Sequence, residues 1–196
     1  MREAIATLAA LAALAALGAA GVHAQTPVTP VTPVTSSTAA APPEIAAALS
    51  SAKLQGSGTL RFLGLRVYDA RLWTTAAAPG ADWTAAPLAL ELQYARSLDG
   101  VRIAERSLTE MRRQGDIAAD VAEHWLGAMK ELFPDVKAGD RITGINVPGM
   151  GARFFINGRL QGDMRDPAFA RFFFGIWLSP KTSDTTLRDN LLGKVS

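Results

Sequence analysis

The chain has 196 residues, a formal charge of only +2, two histidines and no cysteine. Those values argue against a zinc or copper centre, which draws on thiolate and imidazole ligands, and against a nucleic-acid binder, which needs a clustered basic face. Hydrophobic residues make up 48% of the chain, enough for one packed domain held together without disulfides.

The first quarter does not read as part of that domain. Met1-Arg2 is a short basic start, residues 4–20 are dominated by Ala and Leu, and Val22-His23-Ala24 puts small residues at −3 and −1 of a cleavage site. This pattern predicts a signal peptide over residues 1–24, cleaved after Ala24, and hence an exported, periplasmic protein with no stable membrane span after cleavage. No cysteine follows the apolar run, which excludes a bacterial lipoprotein anchor. Residues 25–43 repeat Thr-Pro-Val and then run into Ser, Thr, Ala and Pro. Each proline fixes φ and removes a donor, so a disordered linker is expected there. The folded domain is then 44–196.

Within it, residues 43–52 read as a short helix or lead-in with Glu44 near its start. Residues 53–73 read as one strand, with Gly56 and Gly58 as bends, Gly64 as a bulge, and both faces apolar enough for a central position. Residues 74–87 form a loop rich in Ala, Pro and Gly, with Trp83 packed back onto the domain. Leu88, Leu90, Leu92 and Tyr94 alternate with Ala89, Glu91 and Gln93, the pattern of a half-exposed strand. Ser97 or Asp99 then caps a helix running to Gly115, and Asp116 caps a second one that carries Val121, Trp125, Met129 and Leu132. Pro134 closes it, and residues 141–147 return as a strand.

Residues 140–179 organise the whole. Asn157-Gly158 signals a type I′ hairpin, because both turn positions need φ > 0. Pairing across it sets Ile156 opposite Arg159, Phe155 opposite Leu160 and Phe154 opposite Gln161. Asp166-Pro167 is an N-cap followed by proline at N1. Phe169, Phe172, Phe173, Ile176 and Trp177 then lie on one helical face, and Ser179-Pro180 ends it. Asp184 caps a last short helix. Strands grouped around a helical insertion predict an α+β fold, with helices layered on an antiparallel sheet.

The chemistry is narrowed by elimination. His23 belongs to the signal peptide, which leaves His124, alone on a helix. There is no G-x-S-x-G elbow, and Gly56-Ser57-Gly58 lacks the third glycine and the helix of a dinucleotide fingerprint. Arginine, tyrosine and hydroxyls remain. Arg66 and Tyr68 are i, i+2 neighbours and so point to the same side of the sheet, as a guanidinium and a phenol able to hold a carboxylate or an oxyanion. The competing reading is structural, a buried arginine paired with Asp69, Asp99 or a carbonyl. Tyr94, the other tyrosine, also lies on a strand.

Gly56-Ser57-Gly58, followed by Val67-Tyr68-Asp69-Ala70-Arg71-Leu72-Trp73, resembles the opening of chalcone isomerase-like domains. Phe133-Pro134, Gly139-Asp140, the Asn157-Gly158 hairpin, and residues 172–178 followed by 187–192 extend the similarity over nearly all of 53–193. It is closest to the exported bacterial branch. The resemblance implies a large antiparallel sheet backed by a layer of helices, with a ligand cleft between them. Catalytic members use an arginine shortly after the Gly-x-Gly and a threonine before the Val-Tyr. Here Arg61 follows one position late, Leu63 stands at the threonine position, and residues 97–115 contain neither tyrosine nor asparagine. The resemblance therefore implies a non-catalytic member without a cofactor, binding an apolar small molecule such as a fatty acid. Arg66, Tyr68, Arg61 and Tyr94 are the candidate ligand-binding residues. Two alternatives are an isomerase or lyase that stabilises an enolate through an arginine and a tyrosine, and an envelope protein-interaction module with a filled core and an exposed apolar patch.

Overall fold

The structure, a computed structural model, describes residues 40–75 and 79–194. The expected signal peptide and nearly all of the expected linker lie outside those residues. The elements run α1 (Pro43–Ala48), β1 (Lys53–Phe62), β2 (Leu65–Thr74), β3 (Leu88–Tyr94), α2 (Gly100–Arg112), α3 (Ala119–Leu132), β4 (Arg141–Val147), β5 (Gly151–Ile156), β6 (Arg159–Met164), α4 (Pro167–Leu178) and α5 (Thr185–Leu191). All six strands form one sheet in the order β1-β2-β3-β4-β5-β6, every pairing antiparallel. The α+β expectation holds.

One face of the sheet presents Ala70, Leu72, Leu90, Leu92, Ile142 and Phe154 to a core completed by helix residues such as Trp125, Met129, Phe169 and Phe174. The other face carries a smaller core in which Ile45 and Leu49, from α1 and its end, cover Trp73, Ala89 and Ile145.

The second hairpin forms as its residues dictate. Asn157 and Gly158 have φ 50° and 81°, and Ile156 pairs with Arg159 and Phe155 with Leu160. Beyond that a bulge intervenes, so Phe154 pairs with Gly162 rather than Gln161. Asp166 caps α4, accepting from the N–H groups of Ala168 and Phe169. Its second carboxylate oxygen accepts from Trp125 Nε1 at 2.8 Å, which ties α3 to the start of α4. The buried side of α4 is Phe169, Phe173 and Trp177 with Ala170, Phe174 and Leu178. Phe172 and Ile176 are only partly buried. The buried stripe is thus rotated toward Phe174 from the face expected, because α2 and α5 as well as the sheet pack on this helix.

Several expectations are corrected. Residues 53–73 are not one strand but a hairpin, turned at Leu63 and Gly64 with φ 49° and 78°. That makes β1 an edge strand rather than part of a central one. Gly56 and Gly58 do not break the strand either: both lie within β1, with a register irregularity between Leu54 and Gly56. A Cβ on Gly56 would run into the Asn190 and Leu191 backbone of α5, and one on Gly58 would meet the Leu187 side chain. The two glycines let a helix press directly on the edge strand. Strand β3 is buried on both faces rather than half-exposed, with Ala89 and Glu91 as inaccessible as Leu90. Asp99, not Ser97, caps α2, accepting from Arg102 N–H. Helix α3 starts at Ala119, after Ala118 with no side-chain cap, so Asp116 does not cap it.

Candidate functional site

Strand β2 carries two of the four expected ligand-binding residues, and a bulge separates them. Leu60 pairs with Tyr68, but the next pair is Arg61 with Arg66, so Val67 is an extra residue on β2. One extra residue reverses the alternation of faces. Tyr68 therefore faces the helices while Arg66 does not share its side.

Tyr68 is half-buried with its hydroxyl turned inward, accepting from Trp177 Nε1 of α4 at 2.9 Å. Tyr94, on the neighbouring strand at the paired position, is buried and meets it edge-on, with ring centroids 5.8 Å apart. Desolvation pushes both phenols above their ordinary value. For Tyr68 the Trp177 N–H opposes the shift, and Asp184 and Glu110 add to it; for Tyr94 the added influence is Tyr68 itself. Both are therefore neutral donors over the physiological range. Two tyrosines are thus brought together.

The arginines are not. Arg66 makes two bonds to Asp69, whose carboxylate also accepts from Thr59 Oγ1 at 2.7 Å. The Asp69 pairing of the competing reading is observed, but on an exposed arginine rather than a buried one. Arg61 is exposed and, among the described residues, bonds only the Gly64 carbonyl, at 3.4 Å. Both lie at the β1–β2 turn, away from the Tyr68 hydroxyl side.

The space between sheet and helices is occupied by rings. Phe173 packs against Phe154 at 5.0 Å, Phe169 at 5.5 Å and Trp177 at 5.5 Å between centroids. Gly144 of β4 leaves the hole that receives them, since a Cβ there would stand 3.3–3.5 Å from Phe154, Phe174 and Phe173.

A concavity lies elsewhere, on the outer side of α4. Its volume is about 330 Å³, and Ala81, Trp83, Gln114, Arg171, Phe172 and Lys181 are among the residues lining it. Trp83 is anchored by its indole N–H to the Arg171 carbonyl at 3.0 Å. The Arg171 guanidinium lies over the Trp83 ring at 5.4 Å and 3.6 Å from Asp82. Lys181 reaches the Gln114 carbonyl at 2.9 Å. Two aromatic walls and two cations thus meet at one hollow. Sequence reasoning placed Trp83 against the domain but did not find Arg171 and Lys181. They lie on the polar face of α4 and just past its end, where the pattern reads only as solvated surface.

A second polar cluster sits on the α1 side of the sheet. Glu44 accepts from Arg141 at 2.7 Å and from Thr143 at 3.0 Å. Glu91 accepts from Arg71 at 3.1 Å and Trp73 Nε1 at 2.9 Å. Among the described residues, no group of three or more His, Asp or Glu side chains is arranged to hold a metal ion.

The comparisons with known proteins agree with this architecture. The sequence is 30% identical over 112 residues to an uncharacterized protein of Haemophilus influenzae, and the match spans 55% of this chain and 52% of that protein. The structure superimposes on a fatty-acid binding protein of Arabidopsis thaliana with a TM-score of 0.57 at 16% identity, covering 74% of this chain and 89% of the other. At that identity the likeness is one of fold. The sequence pattern that defines chalcone isomerase-like proteins matches residues 34–193, and the chain belongs to that family.

Proposed function

We propose that this domain is a non-catalytic binder of an apolar small molecule carrying a carboxylate, such as a fatty acid, and that it works in the periplasm after export. The observation that carries the reading is the hollow beside α4. Its Trp83 and Phe172 walls suit an acyl chain, and Arg171 and Lys181 suit its head. A volume of about 330 Å³ is in the range of small-molecule sites. The fold shared with a fatty-acid binding protein supports the same ligand class.

The expected site, with Tyr68 and Tyr94 reached from Arg66 or Arg61, is the second location. Tyr68 supports it: the hydroxyl oxygen accepts from Trp177, and among the described residues no acceptor takes its own proton. The ring packing beside it leaves less room for a chain.

Titration with a fluorescent fatty acid separates the two. A charge-assisted bond contributes about 1.5–3 kcal/mol, so Lys181→Ala should weaken binding by roughly 10- to 150-fold. Tyr68→Phe, Arg66→Ala and Arg61→Ala should then leave it unchanged. Loss confined to Tyr68→Phe or an arginine of the hairpin would move the site to the sheet–helix interior. No binding by the parent would overturn the ligand class, and turnover of a chalcone would make the protein an isomerase. Export is tested by N-terminal sequencing of the secreted protein, which should begin at Gln25.

A further inference from the structure

The run Arg61-Phe62-Leu63-Gly64-Leu65-Arg66 forms the apex between β1 and β2. Phe62, Leu63 and Leu65 are 61%, 86% and 57% exposed. Isolated apolar residues on a surface need no explanation, but three at one turn do.

The backbone sharpens the point. Leu63 has φ 49° and Gly64 φ 78°, nearly the values of Asn157 and Gly158 in the other tight hairpin. That left-handed position favours Asn or Gly, and a leucine side chain there is strained. The strain is not repaid by folding, because Leu63 is the most exposed large apolar residue described. A strained and exposed leucine points to a role outside the fold.

Charge completes the pattern. Arg61 and Arg66 flank the apex, and the segment between Lys53 and Tyr68 contains no acidic residue. Arg96 is exposed beside them, since the preceding Ala95 donates its N–H to Val67 O at 2.9 Å. The nearest carboxylate on the hairpin is Asp69, already bonded by Arg66 and Thr59, and those bonds brace the ribbon.

We propose that the β1–β2 apex is a membrane-docking wedge. Phe62, Leu63 and Leu65 enter the acyl boundary of an anionic bilayer, and Arg61, Arg66 and Arg96 meet its phosphate headgroups. The shape favours a bilayer over a protein partner. A convex two-stranded tip would require a matching groove in a protein, whereas lipid closes around any convex shape. The spacing also fits, because Arg61 stands two residues from Leu63, at most about 7 Å of chain, and peripheral elements penetrate about 5–10 Å. This docking stands independently of what the domain binds.

The absence of cysteine allows a clean local probe in the full chain. Leu63→Cys would carry an environment-sensitive nitrobenzoxadiazole dye. The control is Met150→Cys, a residue that is 57% exposed in the β4–β5 turn at the other end of the strands. With vesicles of phosphatidylcholine containing about one-third phosphatidylglycerol, the dye at 63 should shift to the blue and brighten, and lipid-borne quenchers should dim it. The dye at 150 should not respond. Arg61→Gln in the residue-63 reporter should lower vesicle partition about fivefold at low salt. No response at 63, an equal response at 150, or equal binding to neutral vesicles would overturn the proposal.

Discussion

Trp177 of α4 donates its indole N–H to the Tyr68 hydroxyl of β2 at 2.9 Å, across 109 positions of sequence. This bond fixes the last turn of the aromatic helix to the sheet and holds one phenol of the Tyr68–Tyr94 pair in a dry setting. Its consequences can be measured directly, because the chain contains only two tyrosines.

Both phenols are raised above their ordinary value, so the unfolded chain loses their protons first. Between the unfolded value near pH 10 and the higher folded values, the native state binds more protons than the unfolded state. Stability therefore declines with rising pH in that window, by up to about 1.4 kcal/mol per pH unit for each phenol. These two groups make no contribution to pH dependence below it. Tyrosinate absorbance should rise only with unfolding, and urea midpoints should fall faster above pH 10 in the parent than in Tyr68→Phe. A free titration of both tyrosines near pH 10 in the folded protein would contradict this.

Tyr68→Phe also removes the acceptor of Trp177. A donor left unpaired at a partly buried site costs about 1–2 kcal/mol. The urea midpoint at neutral pH should drop accordingly. Replacing both, as Tyr68→Phe with Trp177→Phe, should cost less than the two single changes summed.

The aromatic helix should show a graded response. Phe173→Ala and Phe174→Ala remove buried rings and should each cost about 3–5 kcal/mol through lost burial and a residual cavity. Phe172→Ala, at a partly buried position lining the hollow, should cost about 1 kcal/mol. Equal losses at 172 and 173 would mean that the buried stripe is the one read from sequence spacing rather than the rotated one.

Arg141 serves two buried carboxylates. Its Nη2 lies 2.7 Å from Glu44 and its Nη1 3.9 Å from Glu91. Arg141→Ala would leave Glu44 with Thr143 alone on one oxygen, while its other oxygen is buried with no hydrogen-bond partner among the described residues. Breaking a buried pair in this way costs about 3–5 kcal/mol. Glu44→Gln with Arg141→Met should recover part of that loss in thermal unfolding.

The two hairpin turns make a matched pair of tests. Gly158→Val should destabilise, because a β-branched residue resists φ 81°. Leu63→Asn should do the reverse by about 0.5–1 kcal/mol, placing a residue that tolerates φ 49° in an open turn. A destabilised Leu63→Asn would show that the leucine serves the fold after all.

Local signals determined much of this protein. Asn157-Gly158 marks a hairpin because few residue pairs tolerate two left-handed positions, and Asp166-Pro167 marks a helix start because it supplies an acceptor and removes a surplus donor. The helix of phenylalanines follows from periodicity, and the α+β layering from the order of strands and helices. What the sequence could not settle was decided by contacts remote along the chain. Leu63-Gly64 turns the first hairpin although leucine carries no turn signal, so residues 53–73 read as continuous. The extra residue Val67 then reverses the side on which Arg66 lies, and strand parity cannot see a bulge. Glu91 reads as the polar face of a half-exposed strand, yet it is buried because α1 folds over that face and Arg71, Trp73 and Arg141 gather on it. The hollow at Trp83, Arg171 and Lys181 exists only where a loop, a helix face and a helix end come together. Periodicity reports which face of an element is apolar, and only tertiary packing decides what covers it.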